Sequence, residues 1–149
     1  MTFKNILVPT DFGEADARAL DMAIAIAAKF ESHLTLLHAN GIPSSAVSAY
    51  ADGLVLPTED MEELARKDLQ AVVAGAKARY PSIEGVLASE EPFQAILDVA
   101  KSRDADLIVM GTHGRRGLAR ALIGSVAEKV VRLSPIPVLT VGRRENDKR

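Results

Sequence analysis

The sequence predicts an α/β domain built on one doubly wound, five-stranded parallel sheet. Three observations carry the prediction. Short apolar runs alternate with longer stretches of helical period along the whole chain, the pattern of strands joined by crossover helices. The runs are nearly continuous in apolar residues, as in Leu107–Met110, which suits parallel strands buried on both faces. The length, 149 residues, fits a single domain that can bury roughly 70% of its unfolded surface and leaves little room for two.

Taken in order, the strands are expected at Asn5–Val8, Leu34–His38, Ile83–Leu87, Leu107–Met110 and Val138–Val141, and the helices at Ala15–Phe30, Glu59–Ala78, Pro92–Ser102 and Ser125–Leu133. The second helix is the most regular, with Met61, Leu64, Ala65, Leu69, Val72, Val73 and Ala76 along one stripe that is read as core. Pro92 suits the first turn of its helix. Gly41, Pro43 and Gly53 punctuate a long loop, 40–57, which is either a flap over a ligand or an insertion. The domain is expected to span 1–142, with a charged, solvating tail over 143–149.

Composition narrows the function. With 48% hydrophobic and 26% charged residues and no apolar run near the roughly 18 residues of a membrane span, the chain is expected to be soluble and free of membranes. The N-terminus enters a strand directly, without a signal-peptide pattern, and there is no cysteine for disulfides, thiolate metal sites or thiol catalysis. A cytoplasmic address is the expectation. The net charge of −2 gives no field for nucleic acid, which leaves small ligands and protein partners.

The informative stretch is Val109–Val131, VMGTHGRRGLARALIGSVAEKVV. Gly111 and Gly114 follow a strand, nine residues intervene, and Gly124–Ser125 opens a helix. Ser125-x-x-Glu128 reads as a capping box. A helix starting there aims the amides of Val126 and Ala127 and its positive dipole end back at the strand tip, forming an anion site. Glycines at 111, 114 and 124 would let a phosphate approach the backbone, although each alone also reads as a turn glycine. Ligands of open α/β sheets collect at the carboxyl ends of the strands, where strand order reverses. Asp11, at the end of the first strand, is the best-placed carboxylate, and it equally reads as a helix N-cap.

Arg115, Arg116 and Arg120 can reach phosphate oxygens, with solvated surface the expected role for at least two of them. His113 is expected to be a turn histidine facing water, with donation to a phosphate the alternative. His33, His38 and His113 lack paired ligand spacing, so no structural metal is assigned.

At these residues the chain resembles the universal stress protein family. The carrying motif is G-x-x-G-x9-G-[ST], matched by Gly111, Gly114, Gly124 and Ser125. The resemblance extends to Phe3–Val8 running into Pro9–Thr10–Asp11 and to the closing 135–141, PIPVLTV, and so covers almost the whole chain. It implies an adenine nucleotide alpha-hydrolase-like, Rossmann-like fold with strand order 3-2-1-4-5, and the ATP-binding subgroup of the family. By resemblance Pro9, Thr10, Asp11 and Ala39 line the adenine and ribose side, and Met110, Gly111, His113 and Gly114 with Gly124, Ser125 and Val126 hold ribose and phosphates, to which Arg115 is added on the strength of its charge. Relatives often carry valine where this chain has Ala39, so packing against the base would be looser. The implied ligand is ATP, with ADP or AMP as alternatives and magnesium held by phosphates and water. The implied partner is a second copy of the chain, paired through Ile136–Val141.

There is no G-K-[ST] ending of a P-loop, no G-x-S-x-G elbow and no kinase loop set. A regulatory or stress-response module that binds nucleotide is therefore the expected function. Slow ATP hydrolysis or adenylyl transfer near Asp11, and a nucleotide-independent dimeric interaction protein, are the alternatives.

Overall fold

The computed structural model describes residues 1–41, 59–113 and 123–142. The expected loop 40–57 beyond Gly41, the turn residues Gly114, Arg115, Arg116 and Arg120, and the tail 143–149 lie outside the described residues. The elements run β1 (Asn5–Pro9), α1 (Glu14–Phe30), β2 (His33–Ala39), α2 (Glu59–Arg79), β3 (Ile83–Ala88), α3 (Pro92–Ser102), β4 (Leu107–Gly111), α4 (Ser125–Leu133) and β5 (Val138–Val141). All five strands form one parallel sheet in the order β3-β2-β1-β4-β5. This is the order that the family resemblance implied.

Alternation along the strands builds two cores. Ile6, Val8, Leu34, Leu36, Leu107 and Val109 face α1 and α2, where Ala19, Ala23, Ala27, Leu69 and Ala76 meet them. Leu7, Leu37, Ile108 and Met110 face α3 and α4, packing on Ala95, Ile96, Ala127 and Val130. The alanine-rich inner face of α1 lets that helix lie close to the sheet, which matters at the strand tips.

The stripe of α2 is core only in part. Leu69 and Ala76 are buried, whereas Met61 and Leu64 are 53% and 61% exposed. The reason is length: at 21 residues α2 is about 31 Å long, whereas the neighbouring six-residue β3 spans about 20 Å. The first turns of the helix overhang the sheet.

Pairing along the central seam is uneven. β1 stays in register with β2 through Pro9↔Leu37, and β4 with β5 through Gly111↔Val141. Between β1 and β4 the register covers Ile6↔Leu107 and Leu7↔Ile108 alone. The two central strands therefore part toward their carboxyl ends, at the point where the chain reverses its direction of winding.

Candidate nucleotide site

A cavity of about 580 Å3 opens where β1 and β4 part, inside the roughly 300–1,000 Å3 range of small-molecule sites. Pro9, Thr10 and Asp11 contribute from the end of β1, Leu37 and Ala39 from β2, and Met110, Gly111 and Thr112 from the end of β4. Pro92 and Ile96 of α3 and Gly124, Ser125, Val126 and Ala127 at the start of α4 close the far side, and Asp16 reaches in from α1. One wall is apolar, and the polar groups gather at the two ends, with carboxylates beside β1 and helix amides at α4.

The turn after β1 is held under strain. Phe12 has φ 60, a left-handed conformation costly for a bulky residue. The Thr10 amide donates to the Leu37 carbonyl at 2.8 Å and the Phe12 amide to Thr10 Oγ1 at 3.1 Å. His38 Nδ1 donates to the Thr10 carbonyl at 2.8 Å, and its ring lies 4.5 Å from that of Phe12. Asp16 Oδ2 accepts the Asp11 amide at 2.7 Å. These ties fix the direction in which Asp11 leaves the sheet. Asp11 does not cap α1, because the helix begins at Glu14 with Gly13 in the cap position.

The start of α4 departs from the expected capping box. Gly124, extended at φ −58 and ψ 152, is the cap, and among the described residues no side chain caps the helix. Ser125 is the first helical residue, and Glu128 pairs instead with Arg132 one turn on, at 3.0 Å. The cause is tertiary: the Gly124 amide donates to the Thr112 carbonyl at 2.6 Å, which pins the glycine at the helix entrance. Among the described residues nothing takes the amides of Ser125, Val126 and Ala127, which stand beside the cavity those residues line. The helix start keeps the expected amides at the cavity and loses the expected serine cap.

The two described motif glycines leave room first for the protein itself. A Cβ on Gly111 would stand 2.6 Å from Asp16 Oδ1 and 2.9 Å from Ala15, so this glycine lets α1 press onto the tip of β4. A Cβ on Gly124 would meet the Thr112 carbonyl oxygen at 3.0 Å. His113 does not face water: it is 7% exposed, shares a 2.8 Å hydrogen bond between its Nδ1 and Thr112 Oγ1, and lies outside the cavity wall. Gly124 folds back onto Thr112, and the Thr112 amide bonds to the Val141 carbonyl at 3.0 Å, so the residue preceding the histidine is held from both sides.

Of the expected residues, the cavity brings together Pro9, Thr10, Asp11, Ala39, Met110, Gly111, Gly124, Ser125 and Val126. Gly114 and Arg115 lie outside the described residues. Sequence reasoning missed Asp16, Leu37, Pro92 and Ile96, whereas the amide of Ala127 was expected at the anion end. Asp16 is the consequential omission, because burial pushes its carboxyl from 3.8 up to about 6, with the charge of Asp11 adding to the rise and backbone hydrogen bonds from Asp11, Gly13 and Gly111 opposing it. Its sequence signal was the spacing Gly13-x-x-Asp16, a glycine cap followed by an acid in the third helical position.

The chain is similar over nearly its full length to known proteins. A universal stress protein of Methanocaldococcus jannaschii is 34% identical, covering 97% of this chain and 85% of the relative. The universal stress protein YxiE of Bacillus subtilis is 31% identical, over 93% and 99%. Among solved structures, a hypothetical protein given a structure-based functional assignment superposes with a TM-score of 0.81 at 28% identity, covering 97% and 99%. A universal stress protein in complex with cAMP gives a TM-score of 0.67 at 28% identity, covering 95% and 98%. The model of the universal stress protein family matches residues 2–142. With its sheet order, its cavity at the parting of β1 and β4 and these likenesses in agreement, the chain belongs to the universal stress protein family.

Proposed function

We propose that the chain binds an adenine nucleotide, ATP by preference, between the tips of β1 and β4, and works as a regulatory module whose state follows occupancy. The observation that carries this reading is the run of the cavity from an apolar wall to an uncapped helix start. Leu37, Ala39, Ile96, Met110 and Val126 suit a purine face, Asp11 suits ribose hydroxyls as an acceptor, and the amides of Ser125, Val126 and Ala127 suit phosphates. Arg115 and Gly114 complete the proposed phosphate side in sequence. Magnesium, where it accompanies ATP, rides on the phosphates and water. The relative solved with cAMP supports adenine nucleotides as the ligand class.

Calorimetric titration tests the reading. Wild-type protein is expected to give a saturable heat with ATP. Ser125→Glu places an anion in the cradle while suiting the helix dipole, so affinity is expected to fall at least tenfold with the melting temperature held or raised. No heat at millimolar ATP overturns the proposal.

A second reading, self-association through β5, rests on a separate observation. β5 is an edge strand, and Leu139 on it and Val131 and Leu133 on α4 are 36%, 49% and 49% exposed. A dimer mass by light scattering at micromolar concentration, reduced to monomer by Leu139→Lys, is the expected result, and a wild-type monomer opposes it.

A further inference from the structure

Asp16 is the one buried acid among the described residues, at 7% exposed, and the nucleotide reading gives it no role. It plugs the gap where β1 and β4 part. Oδ2 is taken by the Asp11 amide, and Oδ1 stands beside the backbone of Gly111 on the cavity wall. Among the described residues, Asp11 is the charged group whose field reaches it. On α1 itself, Arg18 turns away to the Gly142 carbonyl and Glu14 is exposed. The tips of β1 and β4 and the starts of α3 and α4 bring the uncharged Pro9, Thr10, Thr112, Pro92 and Ser125, and His113 is bonded to Thr112 outside the wall. Arg115, Arg116 and Arg120 lie outside the described residues.

Resting on the nucleotide reading above, we infer that Asp16 is a specificity-determining residue, whose carboxyl takes up a proton from solvent when an anionic nucleotide fills the cavity and then serves the ligand as a donor. Two carboxylates and a phosphate chain sharing one partly desolvated space repel one another, and the buried member is the one that neutralises. Protonation removes that repulsion and turns an acceptor into an O–H donor, which favours a ligand presenting a phosphate or ether oxygen toward Gly111. The starting value near 6 places the change within reach of neutral pH. Occupancy is then favoured by acid.

The test is ATP calorimetry on the full chain at pH 7.5, in HEPES and in Tris, whose ionisation heats differ, repeated from pH 6.5 to 8. The expectation is proton uptake and an affinity that rises as pH falls, by up to about tenfold per unit. Asp16→Asn, which keeps one acceptor and adds donors, is expected to bind ATP at pH 8 more tightly than wild type and to lose this part of the uptake. Comparing the two proteins in the same buffers cancels the titration of ATP itself. Equal proton uptake in wild type and variant, or weaker binding by the variant with an unchanged pH slope, overturns the inference and leaves nucleotide binding standing. Absence of ATP binding by wild type at every pH overturns both. Should the variant fail to fold, carbon NMR of the Asp16 carboxyl in wild type decides: its midpoint is expected to rise on adding ATP, and a fall or no movement overturns the inference.

Discussion

The β1–β4 seam is fastened by an aspartate at each end, and the two fastenings differ in kind. At the amino end Asp106, just before β4, accepts the amide of Lys4 at 2.7 Å and that of Asn5 at 3.3 Å while half-exposed. The surrounding groups are paired: the His33 amide with the Lys4 carbonyl at 2.7 Å, Ser32 Oγ with the Phe3 carbonyl at 2.6 Å, and Tyr80 with the Ser32 carbonyl at 2.6 Å. At the carboxyl end Asp16 takes the Asp11 amide while buried, next to a strained Phe12 and an uncapped helix. The same kind of side chain, an aspartate accepting from backbone amides, gives a structural tie at one end and a poised group at the other. Burial beside a cavity makes the difference, and strain and unmet polar groups gather where a ligand can meet them.

The largest expected effect comes from closing the poised end. Gly111→Val would drive a side chain into Asp16 and Ala15, costing about 3 kcal/mol or more by urea denaturation. ATP binding is expected to be lost with it. A near-neutral result would show that α1 does not press on the tip of β4.

Next comes charge removal at Asp16. Its folded value is raised, from 3.8 to about 6, so the folded state holds a proton that the unfolded chain has released. The stability tied to that proton is full below about 4 and is lost as pH rises through about 6. A rise of that size is worth roughly 3 kcal/mol, and Asn forfeits part of that by offering one acceptor oxygen in place of two. Asp16→Asn is therefore expected to be more stable than wild type by about 2 kcal/mol at pH 7.5, with the gap closing by pH 4. A variant less stable at pH 7.5 would make Asp16 a tie of the same kind as Asp106.

The smallest effect belongs to the amino end. Asp106→Ala is expected to cost about 1 kcal/mol through the lost amide acceptors, and to leave ATP affinity within twofold of wild type. A loss of binding would join the two ends functionally and break the contrast.

Much of this architecture was legible in the sequence, for reasons that are local. Strand and helix limits fall within a residue or two of expectation because apolar runs and Pro92 mark them. Strand order came through the family resemblance, since hydrophobic period does not say which strands are neighbours. What the sequence concealed depends on distant parts of the chain. Ser125-x-x-Glu128 has the form of a cap, but the Thr112 carbonyl recruits Gly124 in its place. His113 is buried next to Thr112, which is tied to Val141 of β5 and to Gly124, and Met61 and Leu64 continue a stripe that outruns the sheet. Asp16 looks like an ordinary acid at a helix start until the parting of β1 and β4 places it in a cavity.

The most direct test of the central claim is a map of backbone amide shifts by NMR as ATP is added to the wild-type protein. Saturable shifts are expected to concentrate at Thr10–Asp16, Gly111–His113 and Gly124–Ala127, with Lys4, Asn5 and Asp106 unmoved. No shifts at millimolar ATP, or shifts centred on the Lys4–Asp106 end of the seam, would contradict it.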